Sequence, residues 1–143
     1  MFVKQISIFV QNQSGRLSEI ADTMAEAGID IRALSLADTT NYGILRLIVD
    51  KPEKAMEELK KRGLTVKMNR VIAVEVDDKP GGFSKAVRLF SDNGIGIEYL
   101  YAFVATSAGK ARAVFRVDDN EKAVSILEQN GVKVLEESDC YTV

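Results

Sequence analysis

The 143-residue sequence contains no histidine and one cysteine, and these scarcities remove several kinds of chemistry. Without histidine, the chain cannot use Ser–His or Cys–His catalysis, a histidine-ligated zinc site or an imidazole proton shuttle at neutral pH. The single Cys140 cannot form an internal disulfide bond, which is typical of proteins in a reducing compartment. The sequence therefore indicates no metal and no cofactor.

Long apolar runs and basic patches are also missing. No apolar run approaches the roughly 18 residues that a membrane helix needs, and the first five residues lack the apolar core of a signal peptide. The net charge is −2 with both signs interspersed, so the basic patch expected of a nucleic-acid-binding protein is absent. We therefore expect a soluble, cytoplasmic protein whose partners include neither a membrane nor a nucleic acid.

What the sequence does contain is an internal repeat. The loop Gln13-Ser14-Gly15-Arg16-Leu17 recurs 66 positions later as Lys79-Pro80-Gly81-Gly82-Phe83. Beyond the middle of each copy the shift becomes 68, so two residues have been added in the second copy. The duplication predicts two units, residues 1–69 and 70–143, without a Pro/Gly/Ser-rich linker between them.

Each unit is predicted to have the element order β-α-β-β-α-β. Residues 4–10 alternate between apolar and polar, which is typical of a strand that is buried on one face. Leu17, Ile20 and Met24 then form a helical stripe, which Ser14 is placed to cap and Gly28 to end. The order is that of the ferredoxin-like split βαβ motif, so we expect an α+β fold.

The glycine loops suit ligand binding as well as chain reversal. A glycine at the entry to a helix lets the backbone approach a ligand closely. The first N–H groups of a helix lack partners within the helix, so they suit a carboxylate or a phosphate. Tight turns alone explain the same glycines equally well.

With these two loops, and with Gly-Ile-Asp-Ile and Gly-Ile-Gly-Ile at residues 28–31 and 94–97, the sequence resembles the ACT domain. The two copies cover nearly the whole chain, and the closest resemblance is to small, stand-alone tandem ACT proteins of bacteria. The resemblance implies a non-catalytic regulatory protein that binds a free amino acid at the interface between its two units. It also implies that the second strands lie edge to edge, in one eight-stranded antiparallel sheet with four helices on one face.

The resemblance also implies the ligand-binding residues. In a serine-binding ACT domain, an asparagine three positions before the loop glycine contacts the ligand, and a second contact follows the glycine that ends the first helix. The expected site comprises Asn12, Gln13, Ser14, Gly15, Arg16, Leu17, Asp30, Ile31, Tyr99 and Tyr101. A second, weaker site would comprise Asp78, Lys79, Gly81, Gly82 and Phe83, because Asp78 and Gly96 replace the two contact residues there.

The aromatic side chains Tyr99, Tyr101 and Phe103 alternate onto one face of a predicted strand. They either cover the core or a subunit interface, or they form the wall of a ligand pocket opposite the Asn12 loop. The sequence leaves both interpretations open.

Other functions are also consistent with the fold class. Acylphosphatase has the same fold class and uses a loop arginine with an asparagine. Arg16 follows the loop glycine here and Asn12 precedes it, so a small-molecule phosphatase-type enzyme is one alternative. A purely protein-interaction module is another. RNA binding of the RRM kind is disfavoured, because the third strands lack paired aromatic residues.

Assembly is predicted from the expected layers. Four helices on one face would leave the other face of the sheet uncovered, and Phe9 on that face is apolar. Because a large exposed apolar patch usually marks an interface, we expect a homodimer. A biosynthetic or catabolic enzyme is a further expected partner of an ACT regulatory protein.

Overall fold

The computed structural model describes residues 2–11, 13–38 and 41–142. Within them the elements are β1 (Val3–Gln11), α1 (Arg16–Glu26), β2 (Ile31–Asp38), β3 (Tyr42–Val49), α2 (Pro52–Lys61), β4 (Thr65–Asp77), α3 (Gly82–Asp92), β5 (Ile97–Ala102), β6 (Lys110–Val117), α4 (Asn120–Gln129), β7 (Lys133–Val134) and a 3₁₀ helix (Ser138–Tyr141). In these described ranges, no helix combines the length and the apolar character needed to cross a membrane.

The chain divides into two compact units. The N-terminal unit is Lys4–Asn69, and the C-terminal unit runs from Arg70 onward and includes the residues before Lys4. The strand order is β2-β3-β1-β4 in the N-terminal unit and β5-β6-β4-β7 in the C-terminal unit. In both, the first and third strands of the repeat are central and the second is at an edge. This is the ferredoxin-like arrangement, so the predicted α+β class is confirmed.

The sheet contains seven strands in the described residues, where eight were predicted. The predicted element order makes the last strand of the first unit, at residues 64–68, separate from the first strand of the second unit, at residues 71–76. In the structure β4 is one continuous strand of 13 residues that includes most of both. Asn69 and Arg70, which join the two segments, include neither glycine nor proline, so nothing interrupts the extended backbone there. In the described residues β2 and β5 are the two ends of the strand order and pair only with β3 and β6, so the predicted edge-to-edge pairing of the second strands is not observed.

Each unit has its own apolar core between its strands and its two helices. The N-terminal core joins Ile20 and Met24 of α1 to residues of β1, β3 and α2. The C-terminal core is built around Phe90 and Phe115, whose rings pack edge to face at 5.3 Å. Burial of one such side chain is worth about 1.5–3 kcal/mol, so these two cores stabilise the repeat.

The strand face opposite the helices is mostly buried, contrary to the expectation of an uncovered face. The apolar residues there that lie fully buried in the single chain are Ala33, Ile48, Val71, Ala73 and Val114. Phe9 is an exception, with 38% of its surface exposed, and the Lys67 ammonium lies 5.9 Å from its ring centroid. At these five positions the exposed apolar surface that motivated the predicted homodimer is absent, and the homodimer itself stays a prediction.

The C-terminal tail, for which the sequence suggested no role, packs on this face of the C-terminal unit. The Leu135 amide donates to the Ala73 carbonyl at 2.8 Å, and Cys140 is fully buried. The Arg112 guanidinium of β6 donates to the carbonyls of Asp139 and Thr142 at 2.9 and 2.7 Å. One arginine thus holds both ends of the 3₁₀ helix.

Candidate functional site

The glycine loops have the same geometry in both copies. Gly15 has φ 89° and Gly81 has φ 88°, and each is the N-cap of the helix that follows. This left-handed conformation favours glycine, because a Cβ atom is strained there. Neither helix has a side-chain cap, so the predicted capping by Ser14 is wrong: Gly15 occupies the cap position and has no side chain to offer.

The missing cap leaves donors at the start of α1. The Glu19 amide donates to the Gly15 carbonyl at 3.0 Å, and the Arg16 amide donates to the Gln13 carbonyl at 3.3 Å. The amides of Leu17 and Ser18 have no hydrogen-bond partner in the described part of the chain. Such amides carry the partial positive charge of a helix N-terminus, so they are suited to an anion.

A small pocket of about 230 Å³ lies at the first turn of α1, where Arg16 and Leu17 line it. It is lined by Val10, Gln11, Gln13, Arg16, Leu17, Leu36, Asp38 and Gly43. Strand pairing brings the lining together: Gly43 of β3 lies opposite both Val10 of β1 and Asp38 of β2. The pocket is therefore formed where the glycine loop meets the end of the β2–β3 hairpin.

The apolar wall of the pocket corrects one sequence prediction. The helical stripe placed Leu17 in the core, yet 44% of its surface is exposed, and Leu36 is 55% exposed. Both side chains line the pocket. Exposed leucines normally cost solvation free energy, so a bound apolar group would be stabilised against them.

The charged residues of the pocket have opposite signs. The Arg16 guanidinium forms an ion pair with Glu19 at 3.2 Å, and both side chains are partly exposed. Asp38 supplies a carboxylate at the end of β2. Asp38 was not among the site residues predicted from the sequence. Asp38 could have been identified only from its position opposite Gly43, and that position depends on the pairing of β2 with β3, which the sequence alone does not give.

The predicted site residues divide into two groups in the N-terminal unit. Gln13, Arg16 and Leu17 line the pocket, with Ser14 and Gly15 in the same exposed loop. Asn12 lies outside the described residues. Asp30 and Ile31 follow the other end of α1, which has 11 residues and is therefore about 16 Å long. Within this unit they do not join the loop.

Asp30 has other contacts at its end of the helix. Its carboxylate pairs with the Arg32 guanidinium at 2.9 Å, and its side chain is 63% exposed. Its amide donates to the Asp50 carboxylate at 2.9 Å, and the Gly96 amide donates to the Asp118 carboxylate at 3.1 Å. The repetition of this bond shows that the position has a structural role in both copies.

The C-terminal unit has the corresponding pocket, with a volume of about 190 Å³. It is lined by Val76, Asp77, Asp78, Lys79, Phe83, Leu100, Ala102, Ala111, Arg112 and Ala113. Here Gly82 replaces Arg16 and Val104 replaces Asp38, so the arginine and the carboxylate of the N-terminal pocket have no equivalents at these positions. Gly81 and Gly82 line a separate, larger cleft instead.

The aromatic residues of β5 lie on one face, as predicted. Tyr101 and Phe103 are buried and Tyr99 is half-buried, whereas Leu100 between them is exposed. Leu100, rather than the tyrosines, lines the pocket of the C-terminal unit. Because all residues that line the N-terminal pocket come from the N-terminal unit, a ligand contact by Tyr99 or Tyr101 stays a prediction.

Comparison with known proteins gives the family of the chain. The model of the ACT domain pair matches residues 1–143. Protein BT0572 from Bacteroides thetaiotaomicron is 34% identical, with a TM-score of 0.93 over 100% of this chain and 98% of that one. The regulatory subunit of aspartate kinase from Thermus thermophilus, in its ligand-free form, is 19% identical, with a TM-score of 0.67 over 90% of this chain and 92% of that one.

The corresponding subunit from Thermus flavus is 18% identical, with a TM-score of 0.60 over 88% of this chain and 90% of that one. At these identities the two aspartate kinase subunits show a common fold only. No curated protein matches the chain. The match over the full length, together with the identity to the Bacteroides protein, shows that the chain belongs to the family of ACT domain pairs.

Proposed function

We propose that this ACT domain pair is a non-catalytic regulatory protein that senses a free amino acid in the pocket of its N-terminal unit. One observation carries the proposal: a single small cavity is lined by Leu17, whose helix amide is unpartnered in the described residues, by an arginine, by a carboxylate and by two exposed leucines, Leu17 being one of them. A free amino acid has a carboxylate, an ammonium group and a side chain. These match, in turn, the positive, the negative and the apolar surface of the pocket. Membership of the ACT family supports a sensing role.

Each part of the amino acid has a counterpart in the pocket. The carboxylate would accept hydrogen bonds from the amides of Leu17 and Ser18 and from Arg16, which would exchange its partner Glu19 for the ligand. The ammonium would donate to the Asp38 carboxylate. The volume of about 230 Å³ is below the roughly 300–1,000 Å³ of sites for drug-sized ligands, which favours a ligand of amino-acid size.

The remaining predicted contacts belong to the same proposal. Binding at an interface between units, with Asn12, Asp30, Ile31, Tyr99 and Tyr101, is what the family resemblance implies. The second site at Asp78, Lys79, Gly81, Gly82 and Phe83 would be weaker, since Gly82 and Val104 remove the charged pair. An acylphosphatase-type reaction is not proposed, because membership of the ACT family supports a regulatory role instead.

Partners follow from the exposed edges and from the family. Strands β2 and β5 are each paired on one side in the described residues, and they carry exposed Leu34, Leu36 and Leu100. Unpaired apolar edges favour association, so a homodimer would form more readily there than through the opposite sheet face. An enzyme of amino-acid biosynthesis or catabolism is the partner that we propose for the sensor.

A thermal-shift screen of the common amino acids tests the proposal. A ligand at about 100 times its dissociation constant stabilises the folded state by roughly 2.7 kcal/mol, which raises the melting temperature by several degrees. We expect one amino acid, or one chemically related group, to produce this shift. Asp38→Asn should remove most of it, because the ammonium loses its charged acceptor.

Asp22→Asn is the matched control, since it removes one carboxylate from the exposed surface of α1 outside the pocket. It should leave the shift unchanged. A screen in which no amino acid stabilises the protein, or equal losses in the two variants, would contradict the proposal.

A further inference from the structure

A second cleft of the C-terminal unit adjoins the loop pocket of that unit and shares Val76, Asp77 and Lys79 with it. Its volume is about 590 Å³, compared with about 190 Å³ for the loop pocket of the same unit. It is bounded by residues 75–77 at the end of β4, residues 79–82 of the glycine loop, and residues 131–133 before and within β7. Lys85 of α3 and Lys110 of β6 complete the lining.

Four lysines from different segments converge on this cleft. They are Lys79, Lys85, Lys110 and Lys133. The cleft also contains two carboxylates, Glu75 and Asp77, so four positive charges against two negative charges leave an excess of two positive charges. An anion with two or more charges would therefore be attracted to it.

The carboxylates are already engaged. Asp77 accepts from the Lys110 ammonium at 2.8 Å and lies 3.9 Å from that of Lys79. Glu75 pairs with the Arg112 guanidinium at 2.9 Å and lies 4.0 Å from the Lys133 ammonium. Since Arg112 already neutralises Glu75, Lys133 adds little to that pair.

The Lys85 ammonium has no ion-pair partner among the residues that the structure describes. Its charge nevertheless reaches into the cleft: the hydrogen bond from Lys110 lowers the pKa of Asp77, and the charges of Lys79 and Lys85 lower it further. Lys85 is therefore available to a ligand that enters the cleft.

The other copy of the repeat provides an internal comparison. At the four equivalent positions the N-terminal unit has Gln13, Glu19, Tyr42 and Thr65. That unit forms the same elements in the same strand order, so the fold does not require the lysines. Their presence on one copy alone points to a ligand rather than to stability.

We infer that this cleft binds a small polyanion, of the class of phosphorylated metabolites, as a second ligand independent of the amino acid proposed for the N-terminal pocket. A phosphate monoester carries about −1.5 to −2 charges at neutral pH, which matches the positive excess. Lysine ammonium groups bind phosphate as point charges and tolerate varied geometry. The volume accommodates more than the phosphate group itself, so a phosphorylated organic molecule fits the cleft.

Bound anion would also alter the neighbouring loop pocket. Asp77 and Lys79 line both the lysine cleft and the smaller pocket of the C-terminal unit. A phosphate that draws Lys79 away from Asp77 changes the charge presented to the smaller pocket. The two cavities of this unit are therefore coupled through one ion pair.

Calorimetry with sodium pyrophosphate as the probe tests the inference. The wild-type protein should bind pyrophosphate, and the affinity should fall as sodium chloride is added, because the contact is mainly electrostatic. Lys85→Gln should weaken binding by about tenfold, as expected for the loss of one charge-assisted contact. The double variant Lys85→Gln/Lys110→Gln should weaken it further.

The control is Lys60→Gln/Lys61→Gln on α2, which removes the same charge from the exposed surface of the N-terminal unit. It should bind pyrophosphate as the wild type does. Absence of binding to the wild type, or an equal loss in the control, would overturn the inference. Because Lys85 makes no ion pair, the single variant should fold even if the double variant does not. Amino-acid binding should be unchanged in both, which separates this inference from the proposed function.

Discussion

The thiol of Cys140 shows how burial alone changes the chemistry of a side chain. The residue is fully buried within the C-terminal tail, and its thiol contacts the Glu136 carbonyl at 3.5 Å. Burial raises the pKa of this thiol from 9.0 to about 12, although the charge of Arg112 acts in the opposite direction. The thiol therefore stays protonated and unreactive at neutral pH.

This shift predicts a dependence of stability on pH. An unfolded thiol ionises near pH 9.0, whereas the folded one retains its proton up to about 12. The stability that the protonated thiol contributes to folding is fully present below the unfolded pKa. It is lost as the pH rises through this window, because the unfolded state then binds fewer protons than the folded state. Cys140→Ala should therefore lose less stability than the wild type between about pH 9 and 12.

Urea denaturation at several pH values measures the difference. Comparing the two proteins at each pH cancels the ionisation of tyrosines and lysines, which both share. Parallel stability curves for the wild type and Cys140→Ala would show that the buried thiol does not have the raised pKa.

Leu17 and Phe83 show what a residue-level pattern can and cannot predict. The spacing of Leu17 from Ile20 in α1, and of Phe83 from Ala86 in α3, correctly indicated a helix. The same spacing also predicted that Leu17 and Phe83 lie in the core. Both are 44% exposed and line pockets. The spacing of apolar residues predicts which face of a helix is apolar, but it does not predict which part of that face extends beyond the edge of the sheet. The first turn of each helix lies at that limit.

At the scale of elements, one strand of the C-terminal unit organises the tail. Arg112 of β6 pairs with Glu75 of β4, and their side chains are only 8% and 11% exposed. The same guanidinium holds the 3₁₀ helix through two carbonyls. A buried charge that loses its partner is strongly destabilising, so the pair matters more than a surface ion pair.

Arg112→Ala should therefore reduce the free energy of unfolding by about 3–5 kcal/mol. Arg116→Ala, on the same strand, is the control: its ion pair with Glu98 is partly exposed and should contribute about 1 kcal/mol or less. Urea denaturation compares the two. Cys140 should also become reactive to a thiol reagent in Arg112→Ala, since the tail loses its anchor. Equal effects of the two substitutions would contradict this account of the tail.

The fusion of two predicted strands into β4 also belongs to this scale. The alternation of residues 71–76 and the short apolar segment 64–68 both indicated strands, and both are present. The sequence signals that end a strand are glycine, proline and turn residues, and the junction at Asn69 offers only one weak turn residue. The tail could not be predicted, because its anchor is a long-range contact between β6 and the chain end.

At the scale of the whole molecule, duplication has produced two similar scaffolds with different surface chemistry. The first copy has an arginine and a carboxylate beside its glycine loop, and the second has four lysines around a larger cleft. Gene duplication preserves the core pattern, which is why a shift of 66 or 68 positions aligns the elements of the two copies. The polar positions are free to change, and the difference in proposed ligand arises from them.

The repeat could be predicted from the sequence because glycine spacing and core periodicity are local signals. Residues Gln13, Arg16 and Leu17 were recognised for the same reason, since they adjoin the loop glycine. Leu36 and Asp38 were not, because they reach the loop only through the pairing of β2 with β3. Strand register is a property of the folded unit, and one residue of slip reverses every side chain.

The central claim is that a free amino acid binds at the loop of the N-terminal unit, and an NMR titration tests it most directly. The amino acid with the largest thermal shift is added to ¹⁵N-labelled protein, and the amide signals of Leu17 and Ser18 are followed. The equivalent amides of Phe83 and Ser84 serve as the internal comparison. We predict the largest changes at Leu17 and Ser18, and their loss in Asp38→Asn. Changes confined to Phe83 and Ser84, with Leu17 and Ser18 unmoved, would contradict the claim.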